Sequence, residues 1–372
     1  MTLVARDIAR LVERDLKRRM VFLAGPRGAG KTTLAQSLPD AAKGYLDWDT
    51  PEHRKHLLRR ELPVSPLWVF DEIQKYRNWR GILKKVLDAP RPGQRILVAG
   101  SARLDLYRRG GDALKGLYSL LRLHPLSVRE AGVDSRADFL QLLKLGGFPE
   151  PFFGSDERGA RLWSRENRRR IVREDVAAVE GVKDLANLEL LTARLPGLVG
   201  SPLSINSIRE DLDLSHNAIS EWIEILEKLF FVFRLSPFAS ARVSALRKEQ
   251  RHYHFDWSLV PRDRQRFENL VASHLLKWVH FEQDTKGRDV DLRYFRDTVG
   301  HEVDFVVVEK RAPILMVQTR WGDEEVDRGL LYLKHKFPKT PAWQISAVGR
   351  KDRVTPEGIR VSPALPFLAG LI

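Results

Sequence analysis

Gly25-Pro26-Arg27-Gly28-Ala29-Gly30-Lys31-Thr32, followed by Thr33, sets glycines, a lysine and a hydroxyl at the spacing G-x-x-x-x-G-K-[ST]. Glycines let a backbone curl until successive N–H groups point at one anion, and a helix that follows adds the positive end of its dipole. The result is a cradle for phosphates. Lys31 is then placed to reach the β- and γ-phosphates of ATP, and the Thr32 hydroxyl to ligate Mg2+. Further on, Asp71 and Glu72 close the apolar run Leu67-Trp68-Val69-Phe70. Beside such a cradle, Asp71 is expected to hold Mg2+ through water, and Glu72 to orient or deprotonate the attacking water. Ser101 follows Ile96-Leu97-Val98-Ala99-Gly100. It is placed either to sense the γ-phosphate and position water, or to cap a helix N-terminus. Asp47 and Asp49, after a short apolar turn, read as structural.

These side chains need a scaffold that brings distant segments to one edge. Val21-Phe22-Leu23-Ala24 runs into the glycine turn and then a helix from Lys31; Leu67–Phe70 and Ile96–Ala99 end at the other polar groups. Strands apolar throughout and separated by helical stretches predict an α/β core with a parallel sheet covered on both faces. Ligands bind such sheets at the carboxyl ends of the strands, where all three polar groups fall.

The chain of 372 residues is long enough for two or three domains. Its 43% hydrophobic content is ordinary for a globular protein, and no apolar run approaches the roughly 18 residues needed to cross a bilayer. Leu3, Ile8, Leu11 and Leu16 recur at helical spacing among charges, so the N-terminus predicts an amphipathic helix and no signal peptide. Cysteine is absent, which excludes disulfides and thiolate metal sites; the ten histidines show no metal-ligand spacing, and His252 and His254 read as structural. The expected compartment is the cytoplasm. The formal charge of +14 and pI of about 10.0 attract polyanions, nucleic acid foremost, although an arginine-rich composition alone produces the same excess.

The phosphate loop at 25–33, Phe70-Asp71-Glu72-Ile73-Gln74 with Trp79, and Gly100-Ser101 resemble one group of bacterial and archaeal AAA-type P-loop ATPases, carrying Walker A and Walker B elements. Pro125-Leu126-Ser127 with Glu130, and Gly146-Gly147-Phe148-Pro149-Glu150, resemble the same group, over nearly the whole chain. The resemblance implies ATP binding, a winged-helix module and a C-terminal region of unknown function with a nuclease-like fold. It also implies a homo-oligomer. Members show Gly-Arg where Gly116-Leu117 stands here, which takes away a candidate arginine finger; Arg103, Arg108, Arg109 or Arg122 could replace it.

Beyond the core, 130–187 reads as helical and basic. Ile205–Leu212, the turn Asp213-Leu214-Ser215 and the apolar periodicity from Ala218 to Leu229 predict a helix-turn-helix, with Phe230–Leu235 as the strand of a wing. His216, Asn217, Ser220 and Glu221 would face a DNA groove, but Glu221, Glu224 and Glu227 against Lys228 would repel phosphates. The basic stretches Arg161, Arg165, Arg168, Arg169, Arg170, Arg173 and Arg242, Arg247, Lys248, Arg251 could grip a DNA backbone. They could equally form solvated helix faces, with Glu166, Glu174 and Asp175 as local partners.

The C-terminal region resembles the restriction-endonuclease-like fold, with Glu268 and Asp304 as acids and strands at Asp291–Arg296, Glu302–Val308 and Ile314–Thr319. Active members carry a second acid and a lysine where Gln318 and Arg320 stand. An amide is a poor ligand for a hard divalent ion, and arginine keeps its proton. This region therefore reads as a pseudo-nuclease.

The expected domains are an ATPase core (1–130), a helical basic segment (131–187), a winged-helix-like domain (188–260) and a degenerate nuclease-like domain (261–372). The expected function is ATP binding and hydrolysis that moves the C-terminal domains on DNA. The alternative is a nucleotide-gated switch with a protein partner and little turnover.

Overall fold

The computed structural model describes residues 4–88, 92–101, 114, 116–154, 156–176, 182, 184–238 and 250–372. They pack as two compact units, each discontinuous in sequence: Met1–Pro125 with Arg170–Leu185 and Lys228–Phe230, and Leu126–Arg169 with Ala186–Glu227 and Phe231–Ile372.

In the first unit, β1 (Met20–Ala24), β2 (Tyr45–Asp47), β3 (Leu67–Asp71), β4 (Arg95–Gly100) and β5 (Tyr118–Arg122) form a five-stranded sheet in the order β2-β3-β4-β1-β5. Every pairing is parallel. β1 and β3 are buried at each position, as expected for strands covered on both faces. The helices are α1 (Ala9–Leu16), α2 (Lys31–Ser37), α3 (Ala41–Gly44), α4 (Pro51–Arg59) and α5 (Trp79–Asp88). α1 buries Val12 and Leu16, while Leu3 lies outside the described residues. The register sets Ala24 beside Gly100 and Asp71 beside Ala99. The turns after β1, β3 and β4 therefore leave the sheet at one level, with neighbouring strands about 4.8 Å apart.

The second unit is built from α6 (Arg136–Leu145), α7 (Pro149–Gly154), α8 (Glu157–Arg170), α9 (Leu185–Arg194), α10 (Ile205–Leu212), α11 (His216–Lys228), α12 (Asp263–Lys286), α13 (Arg328–Lys336) and α14 (Ala364–Ala369). Asp213, in the left-handed region at φ 53°, ends α10, and the Ser215 hydroxyl accepts the Ala218 N–H at 3.1 Å to cap α11. α11 buries Ile219, Trp222, Ile223, Ile225 and Leu226. β6 (Val232–Leu235) and β7 (Arg251–His254) then pair antiparallel.

A six-stranded sheet in the order β12-β13-β11-β10-β9-β8 follows. Its strands are β8 (Val290–Arg296), β9 (Glu302–Glu309), β10 (Ala312–Arg320), β11 (Ala342–Ser346), β12 (Arg353–Val354) and β13 (Ile359–Pro363). Val303, Val306, Met316, Leu330, Ile359 and their neighbours make its core.

Two sequence elements that carry the family resemblance serve packing in this unit. The Leu126 N–H donates to the Gly147 carbonyl at 2.7 Å. Glu130 forms a buried ion pair with Lys277 of α12, and the Val128 N–H donates to Nε2 of His274, 3.1 Å away. His274 is neutral there, its pKa pushed down to about 4 by burial. No helix among the described residues is long and apolar enough to cross a membrane.

Candidate functional site

The phosphate loop leaves β1 at Ala24 and enters α2 at Lys31. Gly30 caps α2 at φ 96°, a conformation costly for residues with a Cβ. A Cβ on Gly25 would lie 2.1 Å from the Leu123 carbonyl, so only glycine lets the loop pass there. Arg6 secures the loop from outside the motif, donating to the Ala29 carbonyl at 2.6 Å and to the His124 carbonyl. Lys31 is buried, and its Nζ donates to the Gly25 and Pro26 carbonyls at 2.8 and 2.9 Å. Burial lowers its pKa, against the pull of Glu72, Asp71 and Asp175.

At the end of β3, the Thr32 hydroxyl donates to Asp71 Oδ2 at 2.8 Å, and the Tyr45 hydroxyl donates to the same oxygen. The other oxygen, Asp71 Oδ1, is buried and has no hydrogen-bond partner among the described residues. A buried carboxylate oxygen without a donor, next to a threonine hydroxyl, is a donor set that suits a hard divalent cation such as Mg2+.

Glu72 adopts φ 52°, in the left-handed region that a non-glycine residue enters at a cost. Its N–H donates to the Ala99 carbonyl at 2.9 Å. The bend turns its carboxylate toward the end of β4, where Oε2 accepts from Ser101 Oγ at 3.0 Å and from Gln74 Nε2 at 2.6 Å. Burial raises the Glu72 pKa, while Lys31 opposes the shift. The geometry thus brings Lys31, Thr32, Asp71, Glu72 and Ser101 together. It keeps Asp47 apart, its carboxylate accepting from the Asp49 N–H at 2.9 Å and from Thr50 Oγ1 at 3.3 Å.

The two acids that pair with Arg27 are the main feature that sequence reading missed. Arg27 Nη1 lies 2.9 Å from Asp175 and its Nη2 2.9 Å from Glu174, both acids on a single π-helical turn, Ile171–Val176. These acids do not serve as helix-face partners for nearby arginines, as their spacing suggests; they close on the phosphate loop. Asp175 is buried, which raises its pKa against the pull of Arg27, Lys75 and Lys31. Of the arginines that could replace the missing Gly-Arg, Arg122 lies on β5, while Arg103, Arg108 and Arg109 lie outside the described residues. Leu117 is exposed.

A second charged cluster corrects an expectation. Arg251 does not offer itself to a phosphate backbone: it is 1% exposed on β7. Its guanidinium pairs with Glu302, lies 4.0 Å from Glu268 and 3.9 Å from Asp304, and stacks on Tyr294 with its centre 4.6 Å from the ring centroid. Arg242, Arg247 and Lys248 lie outside the described residues. Thr319 donates to Asp304 through its N–H at 2.9 Å and its hydroxyl at 2.5 Å, and Arg320 pairs with Asp327. Burial, and then Asp304, raise the Glu268 pKa. The described residues contain no group of three or more His, Asp or Glu arranged to hold a metal ion. Arg251 supplies the positive charge these acids need. Arg251→Met should therefore destabilise the protein by about 3–5 kcal/mol, because it leaves buried carboxylates uncompensated. A urea midpoint equal to that of the wild type would show that the acids are carried protonated instead.

Residues 17–132 match the family model described as AAA domain. The chain carries an AAA-type P-loop ATPase domain. Residues 136–265 and 265–363 match two domains of unknown function, DUF8612 and DUF4143. The phosphate loop, Asp71, Glu72 and Ser101 all fall within the AAA domain, whereas Asp175 and Arg251 fall in the DUF8612 segment.

Uncharacterized proteins of Mycobacterium tuberculosis and Mycobacterium bovis are each 27% identical over 267 residues, covering 70% of this chain and 60% of theirs. The chain thus spans about 60% of the length of these curated relatives. Among solved structures, a Walker-type ATPase of Pyrococcus abyssi aligns with a TM-score of 0.45 at 14% identity, over 69% of this chain and 95% of that one. Thermotoga maritima RuvB aligns with a TM-score of 0.32 at 18% identity, over 62% and 90%.

Proposed function

We propose that this protein binds Mg-ATP at the loop Gly25–Thr33, hydrolyses it, and couples the cycle to binding of DNA. The observation that carries the reading is the convergence of Thr32 and the half-satisfied Asp71 with the Glu72–Ser101 pair at one sheet edge. Lys31 and the loop N–H groups bind the β- and γ-phosphates, and Thr32 and Asp71 hold Mg2+. Bound Mg2+ neutralises charge on the transferring phosphoryl group. Glu72 holds the attacking water and accepts its proton; burial, by raising its pKa, makes it the stronger base. Ser101 and Gln74 fix the carboxylate's direction.

The DNA part rests on the formal charge of +14. Assembly as a homo-oligomer rests on the family resemblance. Arg251 on β7 pairs with Glu302 and lies within 4.0 Å of Glu268 and Asp304, which supports a role for this cluster in fold or assembly rather than cutting.

The test is steady-state phosphate release by the full chain with Mg-ATP, with and without duplex DNA. Turnover accelerated by DNA is the expected result. Tight nucleotide binding with no turnover under any condition would favour a switch that signals to a protein partner. The exposed Leu117 and the outward Glu221 and Glu224 of α11 are the observations that keep this second reading alive.

A further inference from the structure

α8 (Glu157–Arg170) packs one face and exposes the opposite one. Ala160 and Ser164 are buried, Ser164 bonds Ser258 at 3.0 Å, and Trp163 packs on Phe148 with ring centroids 5.0 Å apart. At 3.6 residues per turn, Arg158, Arg161, Arg165 and Arg169 fall within an arc of about 80°, its centre about 120° around the helix from the direction of Ala160 and Ser164. All four arginines are exposed. Arg158, Arg165 and Arg169 have no acidic partner among the described residues; Arg161 lies 3.5 Å from Glu157, which also pairs with Lys144 at 3.0 Å. Glu157 and Glu166 sit on the flanks of the arc. Holding unpaired like charges one turn apart is unfavourable unless an external anion compensates them.

We infer that the Arg158–Arg161–Arg165–Arg169 face of α8 is a docking surface for the phosphate backbone of duplex DNA. This rests on the DNA part of the reading above and names the surface that serves it. The stripe runs about 16 Å along the helix axis, from eleven steps of about 1.5 Å each. A duplex carries one phosphate per roughly 3.4 Å of each strand, so the stripe lies alongside several of them. Guanidinium groups match phosphate oxygens in geometry as well as charge.

The structure also separates this face from other basic residues that the sequence offers for DNA. Arg168 is half-buried and Arg170 falls off the arc. Arg251 is buried among acids, and α11, the second helix of the helix-turn-helix pattern, exposes Glu221 and Glu224. Phosphate contacts of this kind position a duplex without reading its sequence. The expected preference is therefore for charge and shape, with little sequence selectivity.

The experiment is fluorescence anisotropy of a labelled duplex with the full-length protein, titrated at several NaCl concentrations. It compares the wild type, Arg165→Gln/Arg169→Gln, and the charge-matched control Arg18→Gln/Arg353→Gln at exposed positions on other elements. Glutamine keeps helix propensity close to that of arginine, and far-UV circular dichroism with a thermal midpoint verifies the fold. The α8 variant should bind more weakly, with its log Kd against log salt slope shallower by about 2, close to one per lost phosphate contact. The control should keep the wild-type slope.

Equal losses in both variants would overturn the inference in favour of diffuse basicity. Wild-type affinity retained by the α8 variant would overturn it while leaving the DNA reading intact. No duplex binding by the wild type would remove both, while the ATPase assay stands on its own. Stripe-dependent binding to phosphatidylserine vesicles without duplex binding would overturn it in favour of a membrane surface.

Discussion

Phosphate release by a Lys31→Ala variant should fall by about 10²–10³-fold or more, the usual loss on removing one charge-stabilising donor from a buried site. Nucleotide affinity should fall with it. Lys31 is 5% exposed and is held between the Gly25 and Pro26 carbonyls, so its ammonium is fixed where the loop opens. It also offsets Asp71, Glu72 and Asp175, whose charges all act on it. Without it, Arg27 and Lys75 are the cations among the described residues that act on those acids, and Arg27 already carries two carboxylate partners. Lys31→Arg should fail as well, because a planar guanidinium cannot enter the same bed of carbonyls. Folding should survive, since an ammonium kept in a buried site lowers stability as readily as it adds to it. Isothermal titration with ADP and a thermal midpoint separate the two effects. Turnover within tenfold of wild type would move the chemistry away from this loop.

The phosphate loop and its acids were legible because local rules place them. A parallel strand, a glycine turn and a helix form one continuous segment, and two more buried strands end in polar residues at the same level. Tyr45 and Asp175 were invisible for the opposite reason. Each reaches the site through tertiary packing, from positions with no motif; Asp175 lies 148 residues from its partner Arg27. Glu174 and Asp175 sit among arginines, and i,i+4 logic assigned them local partners that the π-helical turn does not use.

Arg251 misled in the same way. Composition counts a charge but does not say whether it is buried. The available signal was indirect: Asp304 sits between Val303 and Phe305 on a buried strand, and a buried carboxylate requires a cation from somewhere. On α8 the reverse held, since the arginines were visible in sequence and only packing could show which ones face outward.

Glu72→Gln should separate binding from hydrolysis. The substitution keeps the side-chain length, the Glu72 N–H bond to Ala99 and an oxygen for Ser101, and glutamine tolerates the φ of 52° no worse than glutamate. What it removes is a base. General-base catalysis contributes about 10²–10⁴-fold, and turnover should fall by that factor. Nucleotide affinity should stay level or tighten, because one negative charge facing the phosphates is gone.

The pH profile gives an independent readout. Burial raises the Glu72 pKa, so the proton leaves above the ordinary carboxylate range. Wild-type turnover should therefore rise with pH through that raised value, and the rise should vanish in the variant. A protein that works as a nucleotide-gated switch would behave differently, since wild type and variant would bind nucleotide alike and neither would turn over. A variant that lost nucleotide binding together with turnover would instead mean that Glu72 holds the loop in shape, and the water would need another base.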